Sequence, residues 1–217
     1  MDGIVTFHVV RERRGRQLVV MARMLVDRWH LRRVDGLDVA RVLGTGRGDD
    51  TGPSVDLLRQ AYMLVWRDTA AARSFLDGHP IARRWRSLDV EHDLALGLVA
   101  GHGSWSRQRV LDGLRRVEHG DAEPVVVLTR ARIRMRSWRA FRRASRETAP
   151  ARPVGRCWAL GVGELPVGLL GTMSCWRSTA DLDAWLTADG THAAAAAHAG
   201  DWFAESLFAR FAPIRVR

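Results

Sequence analysis

The sequence predicts an α+β fold made of tandem ferredoxin-like repeats, two diverged copies of one β-α-β-β-α-β unit packed within one chain as a dimeric α/β barrel. Three observations predict it. Residues 61–76, AYMLVWRDTAAARSFL, lie without gaps on residues 171–186, GTMSCWRSTADLDAWL, sharing Met63/Met173, Trp66/Trp176, Arg67/Arg177, Thr69/Thr179, Ala70/Ala180 and Leu76/Leu186. A Leu-Gly-x-Gly stands upstream of each copy, at Leu43-Gly44-Thr45-Gly46 and Leu160-Gly161-Val162-Gly163. Each half also opens on a β-branched run, at 4–10 and 125–133, of the kind that favours a strand.

The elements follow in order. After the first strand, Leu18, Met21, Ala22, Leu25 and Trp29 recur at helical spacing between Arg23, Asp27 and Arg28, which predicts an amphipathic helix packed through that apolar stripe. Its counterpart begins near Ser137, with Trp138 and Phe141 on one face, and is stopped by Pro150 and Pro153. A short strand then runs into each Leu-Gly-x-Gly, read as a tight turn, and a strand ending at Trp66 or Trp176 follows. Thr69 and Thr179 are candidate N-caps for the next helix, because a hydroxyl can accept a first-turn N–H. Closing strands are expected at 94–100 and 208–216. The polar, glycine-containing stretch 101–123 reads as the connection, which divides the chain into a first half, 1–105, a linker, 106–123, and a second half, 124–217. One such unit leaves one sheet face bare, and a second copy covers it, enclosing a pocket between two sheets.

Composition bounds the function. The chain has 217 residues, 47% of them hydrophobic, enough for a sizeable core. No apolar run is long enough to span a bilayer. The N-terminus places basic residues after its apolar patch, the reverse of a secretory signal, so the expected location is the cytoplasm. Cys157 and Cys175 make no disulfide framework and no zinc spacing. The net charge of +10 comes entirely from arginine. It is spread along the chain without a helix-turn-helix or an RNA-binding aromatic motif, so no nucleic-acid partner is expected. Docking to an anionic partner, or peripheral contact with a membrane surface, fits the charge better.

With these motifs assembled, the chain resembles the spheroidene monooxygenase family. The resemblance is carried by Leu43-Gly44-Thr45-Gly46-Arg47-Gly48, Val65-Trp66 and His102-Gly103-Ser104-Trp105 in the first half. In the second half it is carried by residues 127–134 (VLTRARIR), 161–166 (GVGELP), 175–178 (CWRS) and 202–211 (WFAESLFARF). It implies a haem b (iron) cofactor and an oxygenase acting on a hydrophobic or amine-derived small molecule in specialised metabolism. An electron donor such as ferredoxin and a homodimer are partners compatible with it. The architecture is also similar to that of aldoxime dehydratases, which keeps open a dehydratase-like reaction at a C–N or N–O group. A non-catalytic haem or small-ligand carrier and a cofactor-free monooxygenase of the same barrel type remain as other classes.

Haem iron takes an axial His, Cys, Tyr or Met. The family carries a His upstream of the tryptophan matched by Trp202, which makes His192 the first candidate for iron, although it stands nearer to Trp202 than the family's pattern. The five alanines after it would let a flat macrocycle approach; equally, they suit a surface His at the start of a helix. His198, about 240° further around a helix, is the reserve. His102 is a candidate cofactor-binding residue in the turn after the first copy, and Arg47, in the glycine-rich loop, is another. Arg130 and Arg132 alternate on one strand with Leu128, and either could pair a propionate or polarise a distal ligand. Ser174 is a further catalytic candidate. His8 reads as structural, His79 and His92 as surface positions, Cys175 as a buried hydrophobe and Tyr62 as lacking the setting of a ligand.

Overall fold

The computed structural model describes residues 2–47, 55–139, 153–164, 169–187 and 199–215. The chain runs β1 (Ile4–Arg11), α1 (Gln17–Leu31), β2 (Leu37–Gly46), β3 (Val55–Trp66), α2 (Thr69–Gly78), α3 (Pro80–Trp85) and β4 (Asp89–Gly103). It continues with β5 (Val125–Ile133), a 3-10 turn at Met135–Ser137, β6 (Arg156–Gly163), β7 (Leu169–Trp176), α4 (Thr179–Thr187), α5 (Ala199–Trp202) and β8 (Phe203–Ile214). The strands hydrogen-bond in the order β1-β3-β2-β6-β7-β5-β8-β4, and β4 pairs back onto β1 to close the sheet. Neighbouring strands are antiparallel throughout.

Strand alternation sorts side chains between two environments. Val5, Phe7, Val9, Leu43, Met63, Leu128, Leu160, Met173 and Phe211 meet inside the closed sheet. On the outer face Ile4, Tyr62, Leu64 and Trp66 pack with Phe75, Ile81 and Trp85 from α2 and α3. In the second half, Val125, Val127 and Trp176 pack with Leu182 of α4. Because β1 is covered on both faces, its run is apolar almost without interruption. Burying one ring such as Trp66 contributes about 3 kcal/mol, provided its N–H finds a partner. Trp66 Nε1 donates to Thr6 Oγ1 at 2.9 Å, and Trp176 Nε1 to Ser174 Oγ at 3.1 Å.

The two Leu-Gly-x-Gly motifs are not turns. They end β2 and β6, and they meet: Gly44 lies opposite Gly163 and Thr45 opposite Val162. An added Cβ at Gly44 would meet only Gly163 O, at 3.7 Å, so steric crowding does not account for the glycine there. Helix α1 corrects a second expectation. Its buried residues are Val20, Met24, Asp27 and Leu31, whereas Leu18, Met21, Leu25, Val26 and Trp29 are exposed. Both faces are apolar, and a buried polar anchor selects the inner one. Asp27 accepts from the Tyr62 hydroxyl at 2.7 Å and from Arg84, so the face bearing the acid must turn inward.

The caps also shift. Asp68 accepts from Ala71 N at 2.8 Å and Ser178 from Asp181 N at 3.0 Å, so each helix is capped one residue before the threonine expected. Strand β4 extends well beyond 94–100, and β8 begins before 208. The stretch read as a linker carries core: Trp105, Val110, Leu111 and Leu114 are buried in the interior cluster. Phe141 and Pro150, expected in the second-half helix, lie outside the described residues. No helix among the described residues is long and apolar enough to cross a membrane.

Candidate functional site

Three strands bring a charge onto an otherwise apolar inner face. On β5 the alternation Val126, Leu128, Arg130 carries Arg130 inside, where it is 2% exposed. On β8 the alternation Phe211, Ala209, Leu207, Glu205 brings a carboxylate beside it. On β2, Arg41 follows the inward pattern of Leu43.

Glu205 organises this group. Its carboxylate accepts from Arg130 Nη1 at 2.7 Å, from the Ser104 hydroxyl at 2.8 Å, and from the backbone N–H groups of Ser106 at 3.0 Å and Arg107 at 2.6 Å. Ser106 and Arg107 have φ of 54° and 63°, a left-handed pair that non-glycine residues rarely adopt. Turning both N–H groups onto one carboxylate offsets that strain. Burial pushes the Glu205 pKa up, but the hydrogen bonds from Arg107, Arg130, Ser104 and Ser106 outweigh it and hold the value at about 2.

The same turn inserts Trp105, 2% exposed, between the two arginines. The Arg130 guanidinium lies 5.0 Å and that of Arg41 5.4 Å from the ring centroid. Arg41 Nη2 donates to Trp105 O at 3.1 Å and Gln108 Oε1 at 2.7 Å, and its Nε lies 3.6 Å from Glu164. Burial, aided by the charge of Arg130, lowers the Arg41 pKa against the pull of Glu164. Four buried donors here have no hydrogen-bond acceptor among the described residues: Arg130 Nε, Arg130 Nη2, Trp105 Nε1 and Arg41 Nε, which faces Glu164 only at 3.6 Å. A guanidinium edge and an indole N–H left without acceptors are groups that a carboxylate or another oxygen anion could satisfy.

The other described sequence candidates lie apart from this group. Arg132, two residues beyond Arg130 and opposite Glu205, is exposed. Arg47 is exposed just past β2, and His102 is exposed with its ring 5.9 Å from Phe208. Ser174 is on the helix-covered face, bonded to Trp176. His192 and His198 lie outside the described residues, in the chain between α4 and α5. His8 is buried, with Nδ1 2.9 Å from Asp93 and its ring 4.6 Å from Trp85. His79 accepts from Ile81 N at the start of α3. His92 is partly buried and stacks on Trp158 at 4.2 Å, with burial lowering its pKa. Burial, then Cys157, push the Cys175 thiol up to about 11, which disfavours the thiolate that metal ligation needs. No three His, Cys, Asp or Glu side chains among the described residues group as a metal site.

Sequence reasoning missed Trp105, Arg41 and Glu205. The signal was present for two of them: a charge at an inward position of an alternating strand. Trp105 was hidden in a stretch read as a connection.

No protein-family model matches the chain. A spheroidene monooxygenase of Rhodobacter capsulatus is 30% identical over 200 residues, covering 88% of this chain and 82% of that protein. A spheroidene monooxygenase of Rubrivivax gelatinosus is 30% identical over 184 residues, covering 83% of this chain and 70% of its own length. Among solved structures, an aldoxime dehydratase in complex with butyraldoxime superposes with a TM-score of 0.57 at 14% identity, over 99% of this chain and 80% of that one. That second similarity is one of fold. Identity at this level across most of both chains is decisive for the first: the chain belongs to the spheroidene monooxygenase family.

Proposed function

We propose that this chain is a haem-dependent monooxygenase acting on a hydrophobic or amine-derived small molecule. Membership of the family supports the reaction class, in which one atom of dioxygen enters the substrate and the other leaves as water. Two electrons, delivered one at a time by a donor such as ferredoxin, and two protons taken from solvent balance the step. Haem, when bound, would supply the activation of dioxygen. The described residues fit one side of that group. Arg130 Nε and Nη2 are buried donors without an acceptor, suited to a propionate, and Trp105 Nε1 stands beside them. This unsatisfied guanidinium edge is the observation that carries the reading. His192 is proposed as the axial ligand, with His198 in reserve. In this reading Arg130 anchors a carboxylate, Glu205 fixes the guanidinium, and the apolar interior excludes water from a nonpolar substrate.

Two fused copies of one unit fit the pairings. The strand order β4-β1-β3-β2 is matched by β8-β5-β7-β6, with Trp66 opposite Ile4 and Trp176 opposite Val125. These pairings support the division into 1–105, 106–123 and 124–217, with the middle stretch also filling the interior.

The experiment is an absorption titration of the purified chain with hemin, followed by single-turnover assays with reductant and dioxygen. A Soret band that saturates at one hemin per chain is expected. Protein that binds no hemin, yet oxygenates substrate, would replace this reading with cofactor-free chemistry.

A further inference from the structure

We infer that the outer face of α1 docks the protein on an anionic lipid surface. The inference goes beyond the proposed activity and does not depend on it. The helix presents two apolar faces, and only one is used by the fold. Val20, Met24, Asp27 and Leu31 face the sheet. On the opposite side Leu18 is 81% exposed, Leu25 67%, Trp29 52%, Val26 52% and Met21 42%. At about 100° per residue, these five fall within one stripe of roughly 140°. Isolated exposed apolar residues are ordinary, but a continuous stripe on a 15-residue helix marks a contact surface.

The charge around the stripe says what covers it. Arg13, Arg14 and Arg16 are exposed just before the helix, and Arg32 and Arg33 just after it. The helix's own acid, Asp27, is buried and bonded to Tyr62 and Arg84, so no carboxylate from α1 reaches this face. The Arg33 guanidinium stacks 3.4 Å over the Trp29 ring, joining a cation to an amphipathic aromatic, a pairing suited to the headgroup level. Leu and Trp on one side with arginines at both ends is the pattern of a helix lying in the membrane plane.

A second copy of the chain fits less well. Any two-fold pairing along α1 would set one arginine cluster against another. The stripe is also limited to five side chains on a helix ~22 Å long, against about 20–30 residues a side in a stable interface. An anionic bilayer meets the basic ends favourably and needs no matching shape.

The test is flotation of the full-length protein with phosphatidylcholine vesicles that contain or lack 30% phosphatidylglycerol (about a third, enough for an anionic surface). Wild-type protein should float with the anionic vesicles and be released by 1 M salt (where the screening length is about 3 Å). Leu18→Gln/Leu25→Gln should abolish flotation, since Gln keeps helix propensity while removing the apolar contact. Arg13→Gln/Arg14→Gln should weaken it by roughly tenfold or more. Circular dichroism of each variant should match wild type. Wild-type protein that does not float, or floats equally in both variants, overturns the inference. So does a wild-type dimer that Leu18→Gln/Leu25→Gln converts to monomer without any vesicle binding, which would assign the stripe to a second copy.

Discussion

Arg130 meets Glu205 through one nitrogen, Nη1 at 2.7 Å, and leaves Nε and Nη2 buried without an acceptor among the described residues. A carboxylate that served only to neutralise Arg130 would grip it through two nitrogens. Here the remaining carboxylate capacity goes to Ser104, Ser106 and Arg107. Glu205 thus ties the turn that positions Trp105 to the strand that positions Arg130. Glu205→Ala should therefore cost on the order of 3 kcal/mol, because it strands the buried Arg130 cation. Urea unfolding of the variant checks this; a loss below about 0.5 kcal/mol, the scale of an ordinary surface change, would remove Glu205 from the framework.

The same residue sets an acid limit. Its folded pKa of about 2 lies below the ordinary 4.5. A depressed carboxylate pKa contributes stability that is complete above the unfolded value and is lost as pH falls through the folded one. The Glu205 contribution should therefore hold at neutral pH and fade between about pH 4.5 and about pH 2. Unfolding midpoints of wild type and Glu205→Gln, measured down this range, should converge toward the acid end. Parallel curves would show that Glu205 titrates normally.

Legibility divided along physical lines. The α+β class and the order of the strands followed from β-branched runs and the doubled Trp-Arg segment, since these are local signals. The packing face of α1 did not, because Leu18, Leu25 and Trp29 make as good a stripe as Val20, Met24 and Leu31; only contact with Tyr62 and Arg84 decides. The glycine motifs were visible, but their pairing across the β2–β6 seam depends on two segments more than a hundred residues apart. Arg130 was legible as a charge on an alternating strand. Its partner on β8 and Trp105 from the turn were not, because they reach it only through closure of the sheet.

Glycine substitutions should separate steric need from habit. Gly103 has φ +100° and an added Cβ would lie 2.1 Å from Ser206 O, a backbone atom that cannot step aside. Gly44 meets nothing closer than Gly163 O at 3.7 Å. Gly103→Ala should destabilise by about 2 kcal/mol or more, whereas Gly44→Ala should stay within about 1 kcal/mol of wild type. Thermal unfolding of both variants is the measurement, and equal shifts would contradict the geometry.

His192→Ala should weaken hemin binding at least tenfold and shift the Soret maximum, while His198→Ala should leave both nearly unchanged. The two residues cannot reach one iron from a single helix, being about 240° apart. Titration with hemin, with imidazole added to rescue the cavity, distinguishes lost ligation from lost folding. An unchanged spectrum in His192→Ala, with a changed one in His198→Ala, would exchange the two assignments.

Arg130 and Arg132 offer the sharpest contrast, because both sit on β5 facing the same way yet only Arg130 is enclosed. Arg132→Ala removes an exposed side chain and should change stability by no more than about 0.5 kcal/mol. Arg130→Ala leaves Glu205 with three other donors, so the fold should survive with a loss nearer 2 kcal/mol. On the proposed reading its main effect should be on hemin retention, weakened tenfold or more, because the unpaired donors Nε and Nη2 would be gone. Arg130→Lys refines the test. A lysine keeps the charge opposite Glu205 but has no planar fork, so it should restore most of the stability and little of the hemin affinity. Hemin titration and urea unfolding on all three variants read the two effects separately. If Arg130→Lys restored both in full, the guanidinium would be acting as a plain counter-ion to Glu205, and the anion would have to be held elsewhere.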